Sequence, residues 1–393
     1  DPRRLAAPDY GTGTLADLVP SALALLGVRG ETDRLRLVDH LQSAAVRRLC
    51  ILLVDGLGAR NLAAHSDAAP FLTSSAANGR VIGTGFPSTT AVSLSSLGTG
   101  LPPGEHGVVG YLMGVPGFDR AMNPLRWRLH GEGDHIDLLA ALPPETFQPR
   151  RTAFERAADD GIDVTRVAPG YQAKSGLTRA SLRGGEFDAS FSLGDLAART
   201  TAALSGSDRA LVYTYHGDLD LTGHVRGPDS DSWIEELANV DRLAQSIARD
   251  LPADAALLVT ADHGMVHVDD PIDLDAGETG AAGLLDGVRL IGGEPRDRHV
   301  YTEPGAADDV REMWSERLGD DFLVLGRDDA IARGWFGPVV SDAARTRIGD
   351  VMAIATGTGA LIRRTHEPIQ SRLVGHHGSL TPVEREIPLL TFR

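Results

Sequence analysis

The sequence predicts an α/β fold, with a mostly parallel central sheet flanked by helices on both faces and an inserted smaller α+β lobe. Apolar runs bounded by glycine and charged residues occur at 49–58, 209–218 and 255–264, as in buried parallel strands. Residues 232–251 carry apolar side chains at helical spacing and lie between the last two runs. Strands that alternate with helices build a sheet covered on both faces.

The inserted lobe is predicted from a change in character after residue 267. The chain there becomes acidic and glycine-rich, and tryptophan-containing segments follow. A chain of 393 residues has room for about two to three domains. We expect residues 1–267 and 374–393 to form the core domain, and residues 268–373 to form the lobe.

Composition narrows the class of protein. The formal charge of −16 argues against a nonspecific nucleic-acid binder, which needs a basic surface. The single cysteine, Cys50, allows no intrachain disulfide, which fits a cytoplasmic location. Residues 15–28 are expected to form an amphipathic surface helix capped by Thr14. The alternative of a processed leader peptide that is missing from this chain stays open. No apolar stretch approaches the roughly 20 residues that span a bilayer.

Carboxylates and imidazoles gather where the predicted strands end, which is where α/β sheets bind ligands. Asp55 follows the first run, and Asp262 and His263 follow the third. The segment 215–224, "YHGDLDLTGH", is expected to be a loop that carries two aspartates and two histidines. Taken singly, each residue could be a helix cap, a turn residue or a solvated surface group.

Two further segments carry reactive groups. Residues 85–107 form a turn followed by a helix of small residues, and Thr89 and Thr90 both stand at its start. A hydroxyl there is either a helix cap or, if a metal or a base activates it, a nucleophile. The adjacent His376 and His377 lie between glycines, in either a flexible loop or a metal site.

Together these residues offer three carboxylates and three imidazoles as ligands. Mixed histidine and aspartate sites suit zinc or another transition metal, whereas calcium prefers oxygen alone. Six such ligands divide naturally into two sites, and paired metals promote phosphoryl transfer. The six are Asp55, Asp220, His224, Asp262, His263 and His377.

The order of these motifs resembles the alkaline phosphatase superfamily, and within it the nucleotide pyrophosphatase/phosphodiesterase family. The family's Pro-x-x-Thr stretch matches "PSTT", and its Thr-Gly-x-x-Pro-x-x-His-Gly segment matches "TGLPPGEHG". Thr99 lies nine residues after Thr90, which therefore falls on the nucleophile position, whereas Thr89 does not. The segments "DLTGH", "ADHGM" and "HG" at 377–378 also match.

The resemblance implies an alkaline-phosphatase-like core and a two-metal phosphoester hydrolase that forms a phospho-threonine intermediate on Thr90. One metal, most readily Zn²⁺ with Mn²⁺ as an alternative, would be held by Asp220, His224 and His377. The other would be held by Asp55, Asp262, His263 and the Thr90 oxygen. His106 also matches the family but is assigned a structural role, and His216 and Asp218 are extras that support or contact substrate.

The expected substrate is a small phosphodiester or nucleotide. Ser93 stands where the family usually has an asparagine that holds a phosphate oxygen. Phe86, Tyr111 and the lobe residues Trp335 and Phe336 are candidate contacts for the second substituent of a diester. The alternatives are a phosphomonoesterase or phosphomutase on the same core and, from a different class, a metal-binding module without turnover.

Overall fold

The structure, a computed structural model, describes residues 5–41, 46–75, 79–276, 281 and 283–393. Within these ranges, seven strands form the large sheet, and only the last strand of the chain runs antiparallel to the others. Their order across the sheet is Arg80–Gly83, Glu386–Phe392, Ala255–Thr260, Arg48–Val54, Ala210–His216, Asp163–Pro169 and Glu186–Ser190.

The three apolar runs form buried parallel strands, as predicted, and these strands lie side by side at the centre of this sheet. Leu53 pairs with Tyr215 on one side and with Thr260 on the other, so all three strands end at the same edge. Nearly every residue of the three strands is buried, because helices cover both faces. Residues that follow these strands therefore converge at one edge.

The helices pack on the sheet in two main groups. Helix Asp231–Arg249 confirms the predicted amphipathic segment and packs with Leu193–Ser205. Helix Thr90–Thr99 packs near Leu18–Leu25 and Ala153–Asp159. The other helices are Leu37–His40, Ala59–Ala64, Pro70–Ser74, Pro103–His106, Leu138–Ala141, Pro144–Phe147, Gly176–Ser181, Asp218–Arg226, Ala307–Leu318, Arg327–Ala332, Asp342–Arg345 and Pro382–Arg385. None of the helices in the described ranges is both long and apolar enough to cross a membrane.

The prediction of an amphipathic surface helix at 15–28 is wrong. A short 3-10 turn, Leu15–Asp17, precedes helix Leu18–Leu25, and residues 14–23 are all buried. The side chain of Asp17 accepts hydrogen bonds from the backbone and hydroxyl of Thr14 at 3.0 and 2.8 Å. The helix is apolar almost all round, as expected of a buried helix rather than a surface one.

A second, antiparallel sheet lies in the segment predicted as the inserted lobe. Its strand order is Val288–Glu294, Asp297–Thr302, Val351–Ala355 and Phe322–Gly326, and helix Ala307–Leu318 packs against it. One hydrophobic cluster joins Trp335 and Met352 of this segment to Phe86, Met113 and Trp127 of the preceding chain. The two parts of the molecule therefore share a core.

Short strand pairs and a buried ion pair fix the segment that returns to the large sheet. Gly375–His376 pairs with Val266–His267, next to the end of a central strand. Arg296 and Glu384, both fully buried, pair at 2.7 and 2.8 Å. The remaining strand pairs in the described ranges are Met122–Asn123 with Arg128–Leu129 and Ile272–Asp273 with Leu361–Ile362.

Candidate active site and metal centre

The first group of candidate ligands lies where two central strands of the large sheet end. One ligand atom each from Asp55, Asp262 and His263 lies within 4.8 Å of the others. His263 Nε2 is 3.4 Å from Asp55 Oδ1 and 3.3 Å from Asp262 Oδ2. All three side chains are almost completely buried. The structure thus brings together three of the residues selected from the sequence.

The second group comprises Asp220, His224 and His377, whose ligand atoms also lie within 4.8 Å of one another. The segment predicted as a loop is instead helix Asp218–Arg226, so Asp220 and His224 share one face at a spacing of four residues. His224 Nε2 is 3.4 Å from Asp220 Oδ2 and 3.3 Å from His377 Nε2. A helix places the pair more rigidly than a loop would.

The two groups are in direct contact. The rings of His263 and His377 stack with centroids 3.5 Å apart and planes 14° apart. Gly56 lies between the groups with a φ of +77°, and a Cβ there would lie 3.0 Å from the Asp220 Cα. Glycine is needed at 56 both for this left-handed backbone and for the close approach of Asp220.

Backbone carbonyls orient all three histidines. The Nδ1–H group of His224 donates to the Gly375 carbonyl at 2.7 Å, and that of His377 donates to the Ser88 carbonyl at 2.8 Å. His263 Nδ1–H donates to the Gly264 carbonyl at 3.0 Å. Because each Nδ1 carries the proton, each Nε2 presents a lone pair to its ligand group, as in metal-bound histidines.

This arrangement fits divalent cations. The Nε2 atoms of His224 and His377 lie 3.3 Å apart, and in the neutral rings with Nδ1 protonated both would offer lone pairs to a cation. Asp220 Oδ1 and Asp262 Oδ2 are buried and have no hydrogen-bond partner. Such atoms are costly to bury unless a cation or a donor satisfies them. The donor set of imidazole nitrogens and carboxylate oxygens is one that transition metals bind.

The pKa values of the ligand side chains also reflect their burial without a bound cation. Burial raises the pKa of Asp220 and that of Asp262 to about 7 each, and the carboxylates repel one another. Burial lowers the pKa of His263 to about 4, and burial together with His263 and His224 lowers the pKa of His377. The site therefore disfavours charge of either sign on its own side chains, which a bound cation would reverse for the carboxylates.

Thr90 is the first residue of helix Thr90–Thr99 and faces the first ligand group. Its hydroxyl oxygen is 3.2 Å from His263 Nε2 and 3.5 Å from Asp55 Oδ1. The side chain lines the cavity above the two groups. A helix N-terminus also supplies backbone N–H groups and a favourable dipole for an anion.

Thr89, the alternative hydroxyl, has a different environment. Its side chain hydrogen-bonds to the carboxyl group of Glu294, and only 1% of the residue is exposed. It is the residue before the helix, but its side chain caps no helical N–H. The two threonine side chains thus have different partners, and only Thr90 contacts a ligand group.

Two residues around the site were not selected from the sequence. The Tyr215 hydroxyl donates to Asp55 Oδ2 at 2.5 Å, and Tyr215 lies five residues before Asp220, a spacing that could have identified it. Glu294 has a carboxylate oxygen 3.6 Å from His377 Nδ1. Glu294 lies in a hairpin of the second sheet, far along the chain from every motif, so no sequence signal pointed to it.

A cavity of about 1000 Å³ opens above the two ligand groups. Tyr111 lies in its wall, and its hydroxyl accepts from Gln370 Nε2 at 3.1 Å. Asp218 and His216 also line the cavity, and His216 Nε2 is 3.1 Å from Glu236 Oε1. The two extras of the "YHGDLDLTGH" segment form with Glu236 a third group whose ligand atoms lie within 4.8 Å of one another.

The structure does not bring Ser93 to the cavity. Its buried hydroxyl donates to the Asp262 carbonyl at 2.8 Å and is 2.7 Å from the Thr84 hydroxyl. Ser93 therefore supports the Asp262 turn from below. Phe86 is also placed elsewhere, because it packs edge-on against Trp335 and Phe336 in the shared core. Phe86, Trp335 and Phe336 are therefore not among the described residues of the cavity wall, where aromatic contacts were expected from them.

The other two histidines of the motifs lie beside the site. His106 is buried with its Nε2 3.0 Å from the Ser96 hydroxyl, in keeping with the structural role assigned to it. His376 Nε2 lies 3.1 Å from the Leu373 carbonyl, and its ring stands edge-on to that of His224 with centroids 6.1 Å apart. Burial lowers the pKa of each to about 3. Both imidazoles are therefore neutral at ordinary pH.

Comparison with known proteins gives consistent results. The family model of type I phosphodiesterase / nucleotide pyrophosphatase matches residues 49–380. Human ectonucleotide pyrophosphatase/phosphodiesterase family member 7 is 45% identical over 67 residues, which are 16% of this chain and only 15% of that protein.

Solved structures share the fold at low sequence identity. Mouse ectonucleotide pyrophosphatase/phosphodiesterase 5, as an inactive threonine-to-alanine variant in complex with AMP, superposes with a TM-score of 0.64 at 17% identity, covering 88% of each chain. Phosphonoacetate hydrolase from Sinorhizobium meliloti 1021, in complex with phosphonoformate, gives 0.64 at 19% identity, covering 88% of this chain and 89% of that one.

The family match spans every motif from Asp55 to His377, and the shared fold agrees with it. Metal dependence is the norm in this family, and the six ligands selected from the sequence form two of the three groups of candidate ligands among the described residues. The chain belongs to the type I phosphodiesterase/nucleotide pyrophosphatase family of the alkaline phosphatase superfamily, a family of hydrolases of phosphoester bonds.

Proposed function

We propose that this protein hydrolyses small phosphodiesters or nucleotide derivatives with two divalent metal ions and Thr90 as the nucleophile. The observation that carries the proposal is the position of the Thr90 hydroxyl. It lies within 3.5 Å of two residues of one ligand group, and that group stacks on the other. The Thr90 hydroxyl therefore adjoins the first ligand group, and the first group adjoins the second.

The residues divide between the two ions as their geometry groups them. Asp55, Asp262 and His263 would hold the ion beside Thr90, and Asp220, His224 and His377 would hold the other. When bound, such ions lower the pKa of a nearby hydroxyl and stabilise negative charge on phosphoryl and leaving oxygens. The mixed nitrogen and oxygen donors favour Zn²⁺, with Mn²⁺ as the alternative.

The reaction would proceed in two displacements at phosphorus. The Thr90 oxygen forms a bond to phosphorus as the bond to the leaving alcohol or phosphate breaks, and the hydroxyl proton passes to solvent. Water then displaces Thr90 from the phospho-threonine, so the threonine regains a proton and the product leaves. The N–H groups at the start of the Thr90 helix would bind the phosphoryl oxygens.

A diester suits the charge of the cavity better than a monoester. Among the described residues that line it, Arg126 is the only arginine or lysine, and it is not adjacent to Thr90 in the chain. A monoester carries two negative charges and would be favoured by an arginine fork beside the nucleophile. A diester carries one negative charge and a second substituent, for which the large cavity has room.

The test is hydrolysis of bis-p-nitrophenyl phosphate and p-nitrophenyl phosphate, measured side by side with defined Zn²⁺ or Mn²⁺. We expect the diester to have the higher kcat/KM. A monoester preference of tenfold, which corresponds to about 1.4 kcal/mol in transition-state binding, would assign the protein to the phosphomonoesterase alternative. Retention of metal without hydrolysis of any phosphoester would favour the binding module.

A further inference from the structure

A third group of candidate metal ligands lies at the cavity, apart from the six ligands that the proposed function uses. It comprises His216, Asp218 and Glu236, and each offers one ligand atom within 4.8 Å of the other two. His216 and Asp218 also line the cavity that opens above the first two groups. An ion bound by this third group would therefore face the same cavity as Thr90.

The three side chains converge from three separate elements of the fold. His216 ends a central strand of the large sheet, Asp218 begins the next helix, and Glu236 lies in the long amphipathic helix. The two helices pack against each other. A Cβ at Gly217 would lie 2.9 Å from the Tyr215 hydroxyl, so a glycine is needed where the strand turns into the helix. Regular structure therefore holds all three side chains in place.

Asp218 is separated from the ligand Asp220 by the geometry of their shared helix. Residues two apart in a helix point in directions about 200° apart, so the two carboxylates serve different groups. Within the described residues, no hydrogen bond or ion pair holds the Asp218 side chain. The helix dipole favours an acidic residue at this position. It does not account for the convergence of Asp218 with His216 and Glu236.

Glu236 is oriented toward His216 by a chain of polar contacts. His216 Nε2 lies 3.1 Å from Glu236 Oε1, close to the 3.3–3.4 Å that separates ligand atoms in the other two groups. Asn239 Nδ2 donates to the other oxygen, Glu236 Oε2, at 3.1 Å, and Arg242 donates to Asn239 Oδ1 at 2.5 Å. Carboxylates that bind metals are typically held by such outer hydrogen bonds.

The donor set and the exposure of the group suit a divalent transition metal. One imidazole nitrogen and two carboxylate oxygens are ligands of Zn²⁺ and Mn²⁺. His216 is 5% exposed and hence fixed by packing, whereas Asp218 is exposed and accessible to an ion from solvent. Three protein ligands leave a coordination position open for water or substrate. Arg126 is the only arginine or lysine in the described lining, so the ion would add positive charge to the cavity.

We propose that His216, Asp218 and Glu236 bind a third divalent metal ion. The two displacements at phosphorus use the other two groups, so this ion is auxiliary to them. It places positive charge on the cavity wall at the start of the helix that carries Asp220 and His224, where an anionic part of a substrate can approach.

The test counts the Zn²⁺ ions bound per chain, by titrating the metal-free protein in competition with a chromophoric chelator. Asp218→Asn and Glu236→Gln keep the size of each side chain, and each variant should bind one ion fewer than the wild type. Glu235→Gln is the matched control, because this exposed neighbour lies on the same helix as Glu236 and outside the group. The control should bind as many ions as the wild type.

A combined variant shows which ion is lost. Glu236→Gln together with His377→Ala should bind one ion fewer than His377→Ala alone. An equal count for these two proteins overturns the inference, because Glu236 would then support the His377 group. Full wild-type counts in both Asp218→Asn and Glu236→Gln overturn it as well. The count does not depend on turnover, so loss of one ion in a protein that hydrolyses no phosphoester would refute the proposed function alone.

Discussion

Replacing Thr90 with alanine should abolish turnover while the metal content stays nearly unchanged. The change removes a hydroxyl whose oxygen lies 3.2 Å from His263 Nε2 of the first ligand group. Six side-chain ligands remain in the two groups. Thr90 is also the first residue of its helix rather than the residue before it, so no capping interaction is lost.

The size of the effect follows from the lack of a substitute nucleophile. The Ser88 hydroxyl donates to the Ser379 carbonyl at 2.6 Å, and the Ser93 hydroxyl donates to the Asp262 carbonyl at 2.8 Å. The Thr89 side chain is held by Glu294. Only water could then attack phosphorus, and loss of a covalent nucleophile costs roughly 10³- to 10⁶-fold in kcat, or about 4–8 kcal/mol.

The assay combines diester hydrolysis with metal analysis of the same samples. Thr90→Ser keeps a hydroxyl and should retain activity within about tenfold, and Thr89→Ala should lose far less than Thr90→Ala. A quenched reaction of the wild type should yield a phosphorylated peptide that contains Thr90. If Thr89→Ala is inactive and Thr90→Ala is active, the assignment of the nucleophile is wrong.

Three further predictions concern the metal groups and the buried ion pair. His377→Ala should lower metal occupancy and activity together, whereas His376→Ala should be milder because that ring points to a backbone carbonyl; metal analysis showing the reverse would exchange their roles. Chelation should inactivate the protein, and added Zn²⁺ or Mn²⁺ should restore activity. The rise in Tm that the metal causes should be larger at about pH 8 than at about pH 5.5. The reason is that the folded pKa of Asp262 is raised to about 7, so without metal its contribution to stability is lost as pH rises through 7, and a cation binds only the deprotonated form. Glu384→Ala should lower the free energy of unfolding by about 3–5 kcal/mol because it leaves a buried arginine unpaired. Glu386→Ala, which breaks a surface pair, should cost about 0–1 kcal/mol in the same denaturant titration.

The parts of the fold that were predicted are those with a strong local signal. The central strands were apparent because runs such as 49–54 are buried on both sheet faces and hence uniformly apolar. Helix Asp231–Arg249 was apparent because one of its faces is exposed, which gives a clear period. The helix at 18–25 was misjudged because its burial depends on distant chain segments that no local pattern reveals.

The same distinction holds at the site. The six candidate ligands could be selected because each falls in a short motif, and the structure brings them together in two groups. Phe86 and Ser93 were misplaced because a residue's position in a motif does not tell which way its side chain points.

The stacked rings of His263 and His377 have a consequence for how ions enter the site. Each ring belongs to a different ligand group, and each is held on one edge by a backbone carbonyl. At 3.5 Å neither ring can turn about its long axis unless the other moves with it. An ion that fixes one ring therefore also restricts the other. The second ion then has less conformational entropy of these side chains to remove when it binds. Loading should accordingly be cooperative, with half-filled molecules rarer than independent binding would give.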